Sequence, residues 1–403
     1  MLVLVKIGMV FCLMVALLWR RWPLGPVMLL ASLLMGLLFS VAPLDMGRIA
    51  LRSALEPKTT LYLVLVLYLI SVLENLLRTG GVLARMVGAL KVLFRDHRLV
   101  ASFMPAFIGF LPSAGGAMFS APLVREATAR MGLDPGRQTF INYWYRHVWE
   151  TVFPLYPGLI LAAVLVGRPV EALIRRQWPY AAAALAVGWL VGWRGVGKDG
   201  WLGEADYGRA WREVFFTMSP VLFVIVTVLA FKFDLALMTA LAVAGLLVRF
   251  RYPWRKIPVL LWESLKPMTL MLIVGVMVFK GMLEASGAIA ALPGLLLGSG
   301  VPREAVIALL PFLVGLLTGI SQGYVAVVFP LLLGIYGDPG PSLGWYVLAF
   351  VSGLGGVLTS PSHLCLALTR EYFGAGWGQV YRRLLPASAG LVLVGFMLYF
   401  LWR

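Results

Sequence analysis

Two stretches of this chain follow one plan. The first is Pro105-Ala-Phe-Ile-Gly109-Phe-Leu-Pro-Ser113-Ala-Gly115-Gly116-Ala-Met-Phe-Ser-Ala-Pro122, and the second is Pro311-Phe-Leu-Val-Gly315-Leu-Leu-Thr-Gly-Ile-Ser321-Gln322-Gly323-Tyr-Val-Ala-Val-Val-Phe-Pro330. Each is an apolar segment interrupted by a Ser/Gly tip and resumed by apolar residues. In a hydrophobic chain the pattern predicts two re-entrant helical hairpins, over 99–131 and 303–335. Interrupted segments at matching positions of two halves point to the binding site of a transporter.

The surrounding composition fits that reading. The 403 residues are 61% hydrophobic and 13% charged, whereas charged residues make up about 25% of soluble domains. Apolar runs long enough to cross about 30 Å of hydrocarbon as helices recur throughout. The expected fold class is therefore an all-α polytopic membrane protein, since a barrel needs short alternating strands. The expected spans are 2–19, 22–40, 59–77, 139–166 and 177–195 in a first repeat (1–200). A second repeat (201–403) carries 213–231, 234–250, 267–284, 344–369 and 384–402. Those are about ten transmembrane helices besides the two hairpins, with corresponding elements near a constant offset. The polar link Arg194 to Glu213 is the seam, and Val82–Phe94 and Tyr252–Leu265 read as interfacial helices.

Smaller echoes support duplication. Glu74-Asn-Leu-Leu-Arg-Thr-Gly80 closes one span and Lys280-Gly-Met-Leu-Glu284-Ala-Ser-Gly287 closes its counterpart. Phe153-Pro154 falls where Ser360-Pro361 falls. Chance likeness within the small membrane alphabet is the competing explanation, but the ordered offset favours two copies.

Five crossings per half place the second copy upside down relative to the first. On that topology about 22 Lys and Arg residues face one side and about 9 the other, and the richer side is cytoplasmic. Both termini then lie outside, with residues 2–19 read as a retained helix rather than a cleaved signal. The net charge of +16 flanks apolar spans and forms no basic domain, so no nucleic-acid partner is expected. Cys12 and Cys365 lie in apolar spans and offer no disulfide.

Several polar residues sit where burial is costly. Asn142, Arg146 and Glu150 are spaced i, i+4, i+8, predicting one helical face with His147 beside it. Arg146 and His147 suit an anion; Glu150 suits a proton or cation, though an Arg146–Glu150 pair could equally lock helices together. Pro154 and Pro157 predict a helix break downstream. The matching segment in the second half offers Thr359, Ser360, Ser362 and His363, a neutral patch with one titratable ring. At the hairpin tips Gly115, Gly116 and Gly323 allow close approach, and Ser113, Ser321 and Gln322 add polar groups. Ser113, Ser321, Ser360 and Glu150 are the candidate coupling-ion ligands. Glu74, Lys280, Glu284 and Lys6 read as snorkelling side chains.

Enzymatic motifs are thin. There is no His-Glu-x-x-His and no phosphate loop. A Ser360/Ser362–His363 hydrolase is the rival from another class, with adjacent residues on a broken helix making a poor triad. No cofactor is expected beyond Na⁺ or H⁺ as coupling ion.

The run Phe107–Val124, followed by Thr139-Phe-Ile-Asn142-Tyr-Trp-Tyr-Arg146-His147-Val-Trp-Glu150 and Phe153-Pro-Leu-Tyr-Pro-Gly158, resembles the DUF401 family of prokaryotic permeases. That family is similar to the ion transporter superfamily, which includes divalent anion/sodium symporters and arsenite permeases. The resemblance implies inverted repeats, a homodimer in the cytoplasmic membrane and an elevator-like excursion. It also implies that tip residues bind sodium and a carboxylate substrate. In the sodium/dicarboxylate branch the tips read Ser-Asn-Thr; of these only Ser113 and Ser321 carry over. The expected function is secondary transport of a small organic anion, with a cation/proton antiporter using Glu150 as the alternative.

Overall fold

Runs of apolar residues bounded by proline, glycine or a capping aspartate form helices in this protein. The computed structural model describes residues 2–402 except 21, 95, 111–115, 199–205, 288–300, 339, 341 and 342. Four aspartates, Asp96, Asp134, Asp206 and Asp234, accept a backbone N–H of the following first turn. Each supplies an acceptor for one of the donors a helix start leaves unpaired.

The first half contains α1 (Leu2–Trp19), α2 (Leu24–Leu38), α3 (Pro43–Ala54), α4 (Tyr62–Thr79) and α5 (Val82–Leu93). A hairpin of α6 (His97–Ile108) and α7 (Ala117–Ala127) follows, then α8 (Pro135–Arg146), α9 (Pro157–Val166) and α10 (Val170–Trp193). The second half contains α11 (Tyr207–Leu229), α12 (Leu235–Arg249), α13 (Ile257–Glu263) and α14 (Pro267–Ala285). A hairpin of α15 (Arg303–Thr318) and α16 (Ser321–Tyr336) comes next, then α17 (Gly344–Thr359), α18 (Leu364–Phe373) and α19 (Trp377–Trp402). Apart from α5, the described elements of the two halves follow the same order; residues 288–300 lie outside the described residues.

The two hairpins form close to where the sequence puts them. Helices of 12 and 11 residues rise about 18 Å at about 1.5 Å per residue, too short to cross a bilayer singly. Among the described residues, five helical stretches are long and apolar enough to cross: Pro43–Thr79, Tyr207–Leu229, Pro267–Ala285, Gly344–Phe373 and Trp377–Trp402. The expected spans are corrected in three places. Residues 43–54, left between spans by the sequence reading, form α3. The last helix of each half starts about seven residues earlier than expected, and carries an interior proline, Pro179 in α10 and Pro386 in α19. An Arg-Arg pair precedes each proline by the same spacing, at Arg175-Arg176 and Arg382-Arg383. The third correction, an early break after α8, belongs to the site below.

The halves do not pack side by side. α2 packs on α14, α4 on α12 and α5 on α11, so the first helices of both halves interlock in one group. The hairpins and the helices after them form a second group: α15 on α17, α17 on α19, α9 on α16, and α8 on α18 and α19. Small residues set the closest crossings, as is usual between membrane helices. A Cβ on Gly275 would lie 2.7 Å from the Gly25 carbonyl oxygen, and one on Gly315 or Gly356 would collide with the backbone of Gly353 or Phe312. The two groups touch each other through few contacts, such as α1 with α15 and α4 with α9.

Polar side chains stitch the ends. Asp134 joins Arg383 at 2.6 Å, Arg168 joins Asp338 at 2.8 Å, and Glu74 joins Lys266 at 2.8 Å. The Tyr62 hydroxyl donates to Asp234 at 2.8 Å. Partial burial pushes the Asp134 carboxyl up, but the Arg137 backbone N–H and Arg383 outweigh it and hold the group below its ordinary value.

Candidate functional site

α8 stops at Arg146, well before Pro154. The reason is local: His147 Nδ1 takes the Tyr143 carbonyl at 2.6 Å, the acceptor its own backbone N–H would use in a continued helix. The His147 N–H bonds Trp144 O instead, at 3.0 Å, and the chain continues as a series of turns to Tyr156. Pro157 then opens α9. Glu150 therefore sits in an irregular segment, and the expected single helical face of Asn142, Arg146 and Glu150 does not exist. In the second half Pro361 does what proline is expected to do. Ser360, before it, is extended, and α18 begins after His363.

The two interruptions meet. His147 Nε2 and His363 Nε2 lie 3.1 Å apart, with the rings edge to face. Tyr143 packs its ring on both, and its hydroxyl donates to Leu358 O at 3.0 Å. Glu150 Oε1 is 3.9 Å from His147 Nε2, while its Oε2 accepts a short hydrogen bond from Ser321 Oγ at the start of α16. His147 and Glu150 are each 6% exposed, His363 8%. The charge of Arg146 reaches Glu150, His363 and Cys365.

Both hairpins lean on this centre. Gly158 admits the second tip, since a Cβ there would lie 2.8 Å from Ser321 Cβ. Gly319 has φ +65°, and a side chain on it would press on Ser362 and the His363 backbone. Ser360 Oγ donates to Leu316 O at 2.6 Å and contacts Ser362 Oγ at 2.8 Å. On the first hairpin, Trp149 and Tyr156 donate to Ala106 O and Gly109 O.

Of the residues singled out by sequence, the fold brings His147, Glu150, Ser321 and His363 into one cluster, with Arg146 in electrostatic reach and Ser360 and Ser362 bordering it. Ser113 and Gly115 lie outside the described residues; Gly116 is described and precedes α7. Three others serve the framework. The Thr359 hydroxyl turns back on Gly355 O at 2.9 Å. Asn142 Nδ2 ties Ala117 O to Thr369 Oγ1, and Gly323 packs on Thr318. Gln322 is half-buried beside Ser321 in the first turn of α16. Sequence reasoning missed Tyr143 and Cys365. The His363-x-Cys365 spacing at a helix start was the available signal for the latter.

Three helix starts (α9, α16, α18) and three helix ends (α8, α15, α17) border this cluster. Starts present unpaired N–H groups and a positive dipole end, and ends present carbonyls. Helix ends of both polarities thus face one buried place.

This is an all-helical fold with helices long and apolar enough to cross a membrane, and a solved transporter shares the fold. The crystal structure of the YdaH transporter of Alcanivorax borkumensis matches with a TM-score of 0.63 at 16% identity, covering 96% of this chain and 98% of that one. No curated protein shows a significant match. Residues 4–401 match the family described as protein of unknown function (DUF401), and the chain belongs to that family.

Proposed function

We propose that this protein is a secondary active transporter that moves a small organic anion across the cytoplasmic membrane of a prokaryote, coupled to Na⁺ or H⁺. The observation that carries the reading is the meeting of three helix starts and three helix ends on Glu150, Ser321, His147 and His363. Broken helices of this kind are the membrane form of a helix-terminus ion site. Arg146 supplies positive charge to the anion, with the His147 ring beside it. Glu150, the one acidic residue of the cluster among the described residues, carries the proton or ligates the sodium ion, and Ser321 orients it. Ser113, Ser321, Ser360 and Ser362 supply the remaining ligands.

We read the two halves as inverted repeats, and the ion pairs suit that topology. Every inter-element ion pair described above joins residues that the charge-based topology puts on one side: Asp134 with Arg383 and Glu74 with Lys266 inside, Arg168 with Asp338 outside. Both termini then face out. The sparse contact between the two helix groups suits an elevator-like excursion of the hairpin group against the other, in a homodimer. A transporter rather than an enzyme is favoured because the Ser360 and Ser362 hydroxyls face each other and backbone carbonyls, with His363 turned to His147.

Uptake of labelled carboxylates into proteoliposomes tests the proposal. Uptake should need an imposed Na⁺ or proton gradient and fall to background in Arg146→Ala and Ser321→Ala. Undiminished uptake in the double variant would remove this site from the pathway. Gradient-driven Na⁺/H⁺ exchange without anion uptake, abolished by Glu150→Gln, is the signature of the antiporter alternative, which the Glu150–Ser321 bond equally serves.

A further inference from the structure

We infer that His147, His363 and Cys365 form a binding site for one transition-metal ion of the Zn²⁺ class, with the Glu150 carboxylate beside it. The three side chains come from the two helix interruptions, and their ligating atoms all lie within 4.8 Å of one another. All three are buried, Cys365 being 8% exposed. In tetrahedral zinc sites, Zn–N bonds of about 2.0–2.1 Å and Zn–S bonds of about 2.3 Å put neighbouring ligand atoms about 3.3–3.6 Å apart. The His147–His363 nitrogen separation of 3.1 Å is already close to that edge. Rotation of the Cys365 side chain completes the third corner.

The proton arrangement favours coordination. His147 Nδ1–H is held by the Tyr143 carbonyl at 2.6 Å, which leaves Nε2 with its lone pair facing inward. A backbone carbonyl on the outer nitrogen is the usual device for fixing a metal-binding imidazole. His363 Nε2 then donates to His147 Nε2, and His363 Nδ1 is buried without a hydrogen bond. An entering ion takes the lone pairs of both Nε2 atoms. The His363 proton relocates to Nδ1, beside the Gly319 backbone, and the Cys365 thiol releases its proton to solvent as metal-bound thiolates do.

Charge and softness select the ion. Cys365 thiolate and the neighbouring Glu150 carboxylate contribute two negative charges, which match a divalent cation, and Arg146 leaves one positive charge in excess. Two imidazoles and a thiolate suit Zn²⁺ or Co²⁺, whereas Mg²⁺, Ca²⁺ and Na⁺ prefer oxygen. Glu150 Oε1 lies beside the three ligands, 3.9 Å from His147 Nε2, and Ser321 holds its other oxygen. This site shares His147 and His363 with the proposed transport site, but the cobalt spectrum reads it without reference to uptake.

Full-length protein in detergent micelles, titrated with Co²⁺ alone, reads the site directly. Wild type should show a near-ultraviolet thiolate-to-cobalt band and visible bands of tetrahedral cobalt, saturating at one ion per chain and bleached by Zn²⁺. Cys365→Ser, eluting as wild type, should lose the thiolate band. His363→Gln should bind at least tenfold more weakly, and Cys12→Ser, on exposed α1, should keep the full spectrum. Absence of the thiolate band in folded wild-type protein, its survival in Cys365→Ser, or unaltered affinity in His363→Gln would each overturn the assignment. A failure of anion uptake leaves this spectrum untouched, so the two proposals fail separately.

Discussion

The break after α8 and the break after α17 occupy matching places in the two halves, yet they are built differently. The second is made by a proline: Pro361 has no N–H to donate and forces Ser360 to be extended. The first is made by a side chain, as the His147 ring captures the Tyr143 carbonyl and turns the chain before any proline arrives. Their chemistry differs as well. The first break carries Arg146, His147 and Glu150; the second carries hydroxyls and one imidazole. A neutral break and a charged one, pressed together, give a site with donors, acceptors and a single carboxylate. The two breaks share a shape and differ in their chemistry.

The comparison can be broken most severely at Glu150. A hydrogen bond to a charged group contributes about 1.5–3 kcal/mol, so Glu150→Gln should lower gradient-driven uptake by about tenfold or more while the protein still folds. Uptake at the wild-type rate would show that the charged break is not the working one. Next, His147→Ala should cost more stability than His363→Ala, because His147 holds both the Tyr143 carbonyl and the second imidazole. Losing a buried hydrogen-bonding partner costs about 1–3 kcal/mol, readable as a lower midpoint of thermal unfolding in detergent. Equal midpoints would contradict the side-chain-made break. Gly319→Ala probes the second hairpin: left-handed backbone costs a non-glycine residue about 1–2 kcal/mol, and the added methyl would push on Ser362. A smaller loss, about 1 kcal/mol, is expected from Ser360→Ala, which removes the bond to Leu316 O but leaves Pro361 to make the turn.

The smallest effect concerns the ion pair that clamps the start of α8. Asp134 titrates below its ordinary value of 3.8 in the folded protein. Its contribution is therefore fully present above about pH 4 and is lost as pH falls through the lowered folded value. Thermal unfolding followed between pH 6 and 3 should show a decline that Arg383→Ala reduces. An identical decline in the variant would mean that other groups control acid stability.

Much of the architecture was legible because it depends on local or periodic properties. Hydrophobic runs, Ser/Gly tips and punctuating prolines are visible residue by residue, and the second break at Pro361 is of this kind. The repeated Arg-Arg pair before Pro179 and Pro386 was legible too, and would have placed the starts of the last helices earlier. The first break was not, since it depends on a ring turning back on its own helix rather than on a backbone-restricting residue. Asn142 shows the same limit from another side. Its polar character marked it as a site candidate, but only the packed structure shows that its amide ties α7 to α18.

By itself the sequence determined the all-helical membrane class, the two hairpins and the family, because burial in lipid forces long apolar runs and leaves polar residues conspicuous. Only the tertiary structure decided that the halves interleave into two groups, that Glu150 meets Ser321, and that His147 meets His363 with Cys365 alongside. Contacts between residues some 170 to 220 positions apart arise from helices of one half packing on those of the other, and no local pattern encodes which side chains that packing will bring within bonding distance.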